Sequence, residues 1–204
     1  MRMKSYRENP DGEENAGATK QVEREISTLQ AMKIYTPRTD ASNLFLVLMS
    51  PPAGGKSKWI ADNNLQKHTV CPDDLRLLFA PDISKGISQK YNKQVWDLHY
   101  QIIAARVSDG ERLIVADACH TRESYFNRYK QIIEENNGNY SIVAVSFLHD
   151  LSFHVYYNER RPKYKVVPVD VIKRMHKNAQ ILLDNNKVWD IASPSEAMEI
   201  IKRE

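Results

Sequence analysis

SPPAGGKS, residues 50–57, decides the reading of this chain. It follows the unbroken apolar run LFLVLM at 44–49 and ends in Gly-Lys-Ser. A continuous apolar run bounded by turn residues suits a strand buried on both faces of a parallel sheet. A glycine-rich turn leading from such a strand into a helix offers several backbone N–H groups to an anion. The usual pattern is G-x-x-x-x-G-K-[ST]; here Ser50 takes the first place, and Gly55, Lys56 and Ser57 fill the rest. Serine is small enough to stand in for glycine. The backbone of Ala53, Gly54 and Gly55 is expected to approach nucleotide phosphates closely, Lys56 to neutralise the β and γ phosphates, and Ser57 to offer its hydroxyl to Mg²⁺. The alternative is a turn that merely caps a helix.

Outward from this loop, helices and strands alternate. A helix is expected over 57–63, then the short segment HTVCP, then a helix opening with DDLRLLF at 73–79. A long helix over 88–108 carries Val95, Leu98, Ile102 and Ala105 on one face and hands over at Asp109-Gly110 to ERLIVAD, a second buried strand. A helix over 122–135 ends at NNGN, YSIVAVSFL gives a third strand and KVWDIA a fourth. Ser193-Pro194-Ser195-Glu196 has capping-box spacing with proline at the first helical position, so the chain closes with a helix. Alternation of this kind predicts an α/β fold, a parallel sheet with helices on both faces. Upstream, residues 1–18 mix charge with Gly, Pro and Asn and read as a flexible tail, whereas Val22, Ile26, Leu29 and Met32 space an amphipathic accessory helix over 19–33. The division is therefore 1–40 as tail and N-terminal helical extension, and 41–204 as one domain.

Composition narrows the setting. The chain has 204 residues, 42% of them hydrophobic, enough for one domain with a sizeable core. A formal net charge of +3 permits a phosphate-rich partner without demanding one. Cys71 and Cys119 are the only cysteines and form no CxxC pair, which argues against a disulfide framework or a zinc site and for an intracellular, cytoplasmic home. No stretch approaches the roughly 20 apolar residues of a membrane span, so a soluble protein with no membrane partner is expected.

Other residues carry chemistry by position. Asp117 ends a buried strand, where an acidic residue can hold Mg²⁺ directly or through water; it also reads as the start of a turn. Asp73 and Arg76 stand three apart at a helix start and can face the same side, one taking a hydroxyl proton and the other holding a phosphate; Asp73 also reads as a helix cap. NERRPKYKVVPVDVIKRMHK, residues 158–177, is the densest basic segment; it reads as a solvated surface or as a mobile arginine-bearing loop closing over a triphosphate. His120, three residues beyond Asp117, reads as an acceptor contact or as a surface histidine, and His99 as a residue packed on its helix.

In this order the pieces resemble the kinase domain of the phage-type polynucleotide 5′-kinase family over about residues 43–180. SPPAGGKS corresponds to its P-loop, CPDDLR to its D-x-x-R segment, IVADACH to its strand ending in aspartate, and NERRPKYKVVPVDVIKRM to its lid and following helix. The resemblance implies a P-loop kinase-like fold with ATP and Mg²⁺ as cofactors and nucleic acid, DNA or RNA, as substrate. It implies that Lys56 and Ser57 bind ATP phosphates and Mg²⁺, that Asp73 is the general base and that Arg76 contacts the acceptor. Arg161 becomes the lid arginine on the transferring phosphate, and Asp117 supports the P-loop serine and the metal-bound water. Ser50 in place of glycine, Pro72 before Asp73 and Ala-Cys-His after Asp117 depart from the family's pattern, and no D-x-D-G-T segment of a fused phosphatase occurs. The expected function is transfer of the γ-phosphate to a polynucleotide 5′-hydroxyl. Alternatives are a kinase for the hydroxyl of a 5-hydroxymethyl pyrimidine in phage DNA, a kinase for a nucleotide or small molecule, and a nucleotide-binding interaction module without catalysis.

Overall fold

A computed structural model describes residues 43–84, 86–185 and 189–203. The expected N-terminal tail and accessory helix lie outside the described residues. The elements run β1 (Asn43–Met49), α1 (Lys56–Asp62), a 3₁₀ turn (Gln66–His68), β2 (Thr69–Val70), α2 (Pro72–Phe79), α3 (Asn92–Ser108), β3 (Leu113–Asp117), α4 (Glu123–Glu135), β4 (Tyr140–Ser146), α5 (Leu151–Glu159), a 3₁₀ turn (Lys163–Lys165), α6 (Val169–Asp184), β5 (Asp190–Ala192) and α7 (Pro194–Arg203). The five strands form one parallel sheet in the order β2-β3-β1-β4-β5. This is the α/β architecture expected from the sequence, with one strand more: Thr69–Val70, within HTVCP, pairs with Val115 and Ala116 at the sheet edge.

β1 is the central strand of the sheet, flanked by β3 and β4, both from later in the chain. Leu44 to Met49 are each at most 1% exposed, as an unbroken apolar run requires. Alternate residues serve two cores. Leu44, Leu46 and Leu48 pack with Ile60 of α1 and with Ala197 and Ile200 of α7. Phe45 and Val47 pack with Ile103 and Val107 of α3 and with Phe126, Tyr129 and Ile132 of α4. Helices thus cover both faces of the sheet. At α7 the capping box forms as the sequence predicts: Ser193 N–H donates to Glu196 Oε2 at 2.7 Å, and Glu196 N–H donates to Ser193 Oγ at 3.3 Å. The Ser193 backbone N–H, with the Ser193 hydroxyl adding to it, holds the Glu196 carboxyl below its usual range.

The strand order places a switch point at β1, with β3 on one side and β4 on the other. In open parallel sheets the crevice outside the carboxyl ends of the strands at such a point is where ligands bind. Residues 50–55, Cys71 and Ala118 leave the sheet at that end. No helix among the described residues is long and apolar enough to cross a membrane.

Candidate functional site

The loop after β1 owes its shape to residues 50, 53, 54 and 55. Ser50 is fully buried, and its hydroxyl lies 2.6 Å from Pro51 O and 3.2 Å from Phe147 O, which tie the loop's start to the end of β4. Its φ is not positive, so the conformational freedom of a glycine is not used there. Gly54 faces this hydroxyl: a Cβ at 54 would run into Ser50 Oγ and lie 2.9 Å from Phe147 O. Serine at 50 and glycine at 54 are therefore complementary. Ala53 (φ 64°) and Gly55 (φ 96°) are left-handed with Gly54 between them, and a Cβ at Gly55 would meet nothing within 4 Å. Backbone of alternating hand curls into a concavity suited to an anion, and the space in front of Gly55 is open.

A histidine network seats the loop from behind. Fully buried His154 of α5 donates Nδ1–H to Pro52 O at 3.0 Å, and its Nε2 accepts the His149 N–H at 3.2 Å. His176 Nε2 of α6 bonds His149 O at 2.9 Å and carries the network onto the next helix. A proton on His154 Nε2 would orphan the His149 N–H, and burial holds this imidazole down at about 4. His154→Leu leaves Pro52 O and the His149 N–H unpaired, and is expected to cost about 2 kcal/mol of stability, read from denaturant midpoints. An unchanged midpoint would show that the loop does not depend on this seat.

Across the cavity, α2 begins at Pro72 and carries Asp73 and Arg76 on one face. Arg76 is only 8% exposed; Nη1 donates to Asp73 Oδ1 at 2.7 Å and Nη2 to Asn92 Oδ1 of α3 at 2.6 Å. The Asp73 side chain remains 51% exposed. Asp117, at the end of β3, is nearly buried; desolvation raises its pKa, while the Lys56 charge and a hydrogen bond with the Cys71 thiol act in the other direction. Burial pushes the Cys71 thiol up to about 12, with the Asp117 charge adding to the shift, so this cysteine is a donor here and no thiolate nucleophile.

The basic segment folds back over the cavity. Asn158, 1% exposed, grips both polar groups of Val167: Nδ2 donates to Val167 O at 2.8 Å, and Val167 N–H donates to Oδ1 at 3.0 Å. Arg160 turns onto Tyr156, its guanidinium 3.3 Å from the ring centroid and Nη1 2.8 Å from Tyr156 O. Arg161 instead lines the cavity, where its charge reaches the Cys119 thiol.

One expected contact is corrected. His120 is fully buried, with Nδ1–H donating to Leu48 O at 2.8 Å and Nε2 accepting the Tyr129 hydroxyl at 2.7 Å. Tyr129 O in turn accepts His99 Nε2–H at 2.8 Å, which leaves His99 Nδ1 as the lone pair without a partner. Burial holds both imidazoles down at about 3. The reason is directional: beyond Asp117 the chain turns so that His120 points beneath the sheet end. His120 therefore lies behind the site and does not line the cavity.

The cavity has a volume of about 1480 Å³ and is lined by residues from Pro52 to Lys58, by Asp73, Asp74 and Arg76, by Asp117 and Cys119, and by Arg161. Thus Ala53, Gly54, Gly55, Lys56, Ser57, Asp73, Arg76, Asp117 and Arg161 converge from four segments, and only His120 of the candidates lies elsewhere. Asn92, Trp96, Tyr125 and Arg174 also line it. Arg174 lies in the basic segment already singled out, whereas no motif pointed to Asn92, Trp96 or Tyr125, and only the helical step from Asn92 to Trp96 hinted at a shared face. Among the described residues no group of three or more His, Cys, Asp or Glu could hold a metal ion.

No protein-family model matches the chain. No curated protein matches it either. Among solved structures it is similar to a chain of the Pnkp1/Rnl/Hen1 RNA repair complex, at 17% identity and a TM-score of 0.57, over 76% of this chain and 49% of that one. The present chain therefore spans about half of that chain's length. It is also similar to a gluconokinase from Sinorhizobium meliloti 1021 (14% identity, TM-score 0.48, 81% and 90% of the two chains). A deoxyadenosine kinase from M. mycoides with bound dATP follows (10%, 0.43, 78% and 98%). The last two scores are too low to argue from, and identities of this order speak for fold alone. The fold is α/β and P-loop kinase-like.

Proposed function

We propose that this chain is an ATP-dependent phosphotransferase that acts on a hydroxyl of nucleic acid, the 5′ end of a DNA or RNA strand. The observation that carries the reading is the meeting, in one cavity, of the P-loop with Asp73, Arg76, Asp117 and Arg161, which are far apart in sequence. A turn that only capped a helix would not need an acid–arginine pair opposite it. Lysines and arginines outnumber acids along the lining, Lys56, Arg76, Arg122, Arg161 and Arg174 among them, which suits a polyanionic nucleotide and a polyanionic acceptor.

In this reading the open concavity at residues 53–55 takes the triphosphate, and Lys56 spreads its charge over the β and γ phosphates. Asp73 accepts the proton of the acceptor hydroxyl. The hydroxyl oxygen forms a bond to the γ phosphorus as the bond to the β–γ bridging oxygen breaks, ADP leaves, and the proton passes from Asp73 to water. Arg161 faces the transferring group and offsets its charge, and Arg76 holds the acceptor while it orients Asp73. Ser57 and Asp117 fit a Mg²⁺ bound largely through phosphate oxygens and water, a mode that requires no protein-only ligand cage. Such an ion supplies charge neutralisation to the phosphates. The raised pKa of Asp117 reflects a desolvated carboxylate that a cation would favour in its ionised form.

Transfer of labelled γ-phosphate to a panel of acceptors tests this. The expected result is label on a 5′-hydroxyl oligonucleotide and none on its 5′-phosphorylated counterpart, lost in Lys56→Ala. Label confined to strands containing 5-hydroxymethyl pyrimidines would keep the chemistry and move the acceptor to a base. Label on no acceptor, with ATP still bound, would replace the enzyme by a nucleotide-binding module.

A further inference from the structure

Beyond Asp73 and Arg76 the cavity wall becomes aromatic. Arg76 reaches Asn92 on α3, and Trp96 stands one helical turn further along the same face. Trp96 stacks on Tyr125 of α4 with ring centroids 5.2 Å apart and 27° between the planes. Both rings line the cavity and are half-buried, not closed within the core.

These rings are held in place from behind. His99 meets Trp96 edge-on at 5.2 Å, and His120 meets Tyr125 edge-on at 5.4 Å. Both imidazoles are fixed in turn by their bonds to the Tyr129 hydroxyl. Because burial keeps them neutral, the backing adds no charge to the wall. A rigid, uncharged aromatic surface next to an acid–arginine pair does nothing for a phosphate, and a sugar acid would require polar partners there. It suits the flat face of a nucleobase.

We propose that Trp96 and Tyr125 form the platform that takes the acceptor's terminal nucleobase, so that the hydroxyl offered to Asp73 belongs to a base-bearing nucleotide. This rests on the phosphotransferase reading above. Every base has a π-face, so the platform grips a base without choosing strongly among the four. It penalises a terminus that has none.

Steady-state transfer is measured on a 5′-hydroxyl oligonucleotide and on the same strand with an abasic terminal residue. For the unaltered chain the abasic strand is expected to show a KM higher by about tenfold or more, the worth of one base on an aromatic side chain. Trp96→Leu and Tyr125→Leu are expected to raise the KM of the normal strand by about tenfold while that of the abasic strand moves little, so the preference collapses. Trp96→Phe and Tyr125→Phe should restore the preference. The KM for ATP, followed in parallel, reports whether each variant keeps its P-loop. Equal KM values for the two strands with the unaltered chain, a comparison that needs no variant, would overturn the platform and leave the kinase standing. Transfer to neither strand would overturn the 5′-hydroxyl acceptor of the proposed function, and the platform with it.

Discussion

Asp73→Asn should bind ATP as the unaltered chain does and transfer its phosphate at least about a hundredfold more slowly, the lower end of what a positioned general base contributes. The substitution is chosen for what it leaves alone. Asparagine keeps an oxygen for Arg76 Nη1, which now sits 2.7 Å from Asp73 Oδ1, so the buried guanidinium keeps that neighbour and its bond to Asn92. The capacity to accept a proton is removed, together with the negative half of the ion pair with Arg76, so a denaturant midpoint is followed alongside to confirm that the fold is kept. Lys56→Ala should behave differently, because Lys56 lines the phosphate end of the cavity: its loss weakens ATP handling as well as transfer. Equilibrium ATP binding together with single-turnover transfer separates the two cases. Near-normal single turnover in Asp73→Asn would remove Asp73 as the base and direct attention to Asp74, which lines the same wall.

The second large effect is acid unfolding at a mild pH. His99 and His120 are held down at about 3 and His154 at about 4, from an ordinary 6.5, with burial as the first cause in each case. Above pH 6.5 neither the folded nor the unfolded chain protonates these rings, and stability is complete. As pH falls below that value only the unfolded chain takes up the protons. Each histidine then costs about 1.4 kcal/mol per pH unit, and the three together about 4. Asp117 acts in the opposite direction, since its raised pKa lets the folded state gain a proton first, and it returns about a third of that slope while it titrates. Against a domain stability of about 5–8 kcal/mol, in the lower part of the usual range, the fold should be lost by about pH 4–5. Circular dichroism across graded pH measures this, and a native spectrum that persists to about pH 3.5 would show that the buried imidazoles accept protons in place.

How much could be read beforehand varied with how strictly each element obeys its period. β1 and the loop after it were legible because burial on both faces writes itself as a continuous apolar run, and a glycine-lysine-serine turn then has few other uses. β2 was not, since two residues at a sheet edge leave no pattern. Nor was α5, for a physical reason: its buried positions are polar, His154 and Asn158, while Tyr156 and Tyr157 are 50% and 47% exposed, so the apolar stripe is inverted. Helix α3 begins at Asn92, not near residue 88, because Ser88 and Gln89 spend their polar groups on a turn: Ser88 Oγ accepts Lys90 N–H and Gln89 O accepts Asn92 N–H. At the site, spacing along one helix put Asp73 beside Arg76, and three-residue proximity to Asp117 misled for His120. Distance along a loop does not specify which side of the sheet end a side chain takes.

Asn158 has a consequence for how the basic loop can change. By closing the neck between residues 158 and 167 with two side-chain bonds, it makes the intervening residues a loop whose ends are already joined. Extending such a loop costs little, about 0.6 kcal/mol for each doubling of its length. Residues 162–166 can therefore be lengthened, shortened or given a different charge without loosening α5 from α6, provided that Arg161 and the neck are kept. The chain carries an exchangeable cassette over its cavity, and grafting segments of different basicity into it is a direct way to retune which polyanions are admitted while the scaffold below is untouched.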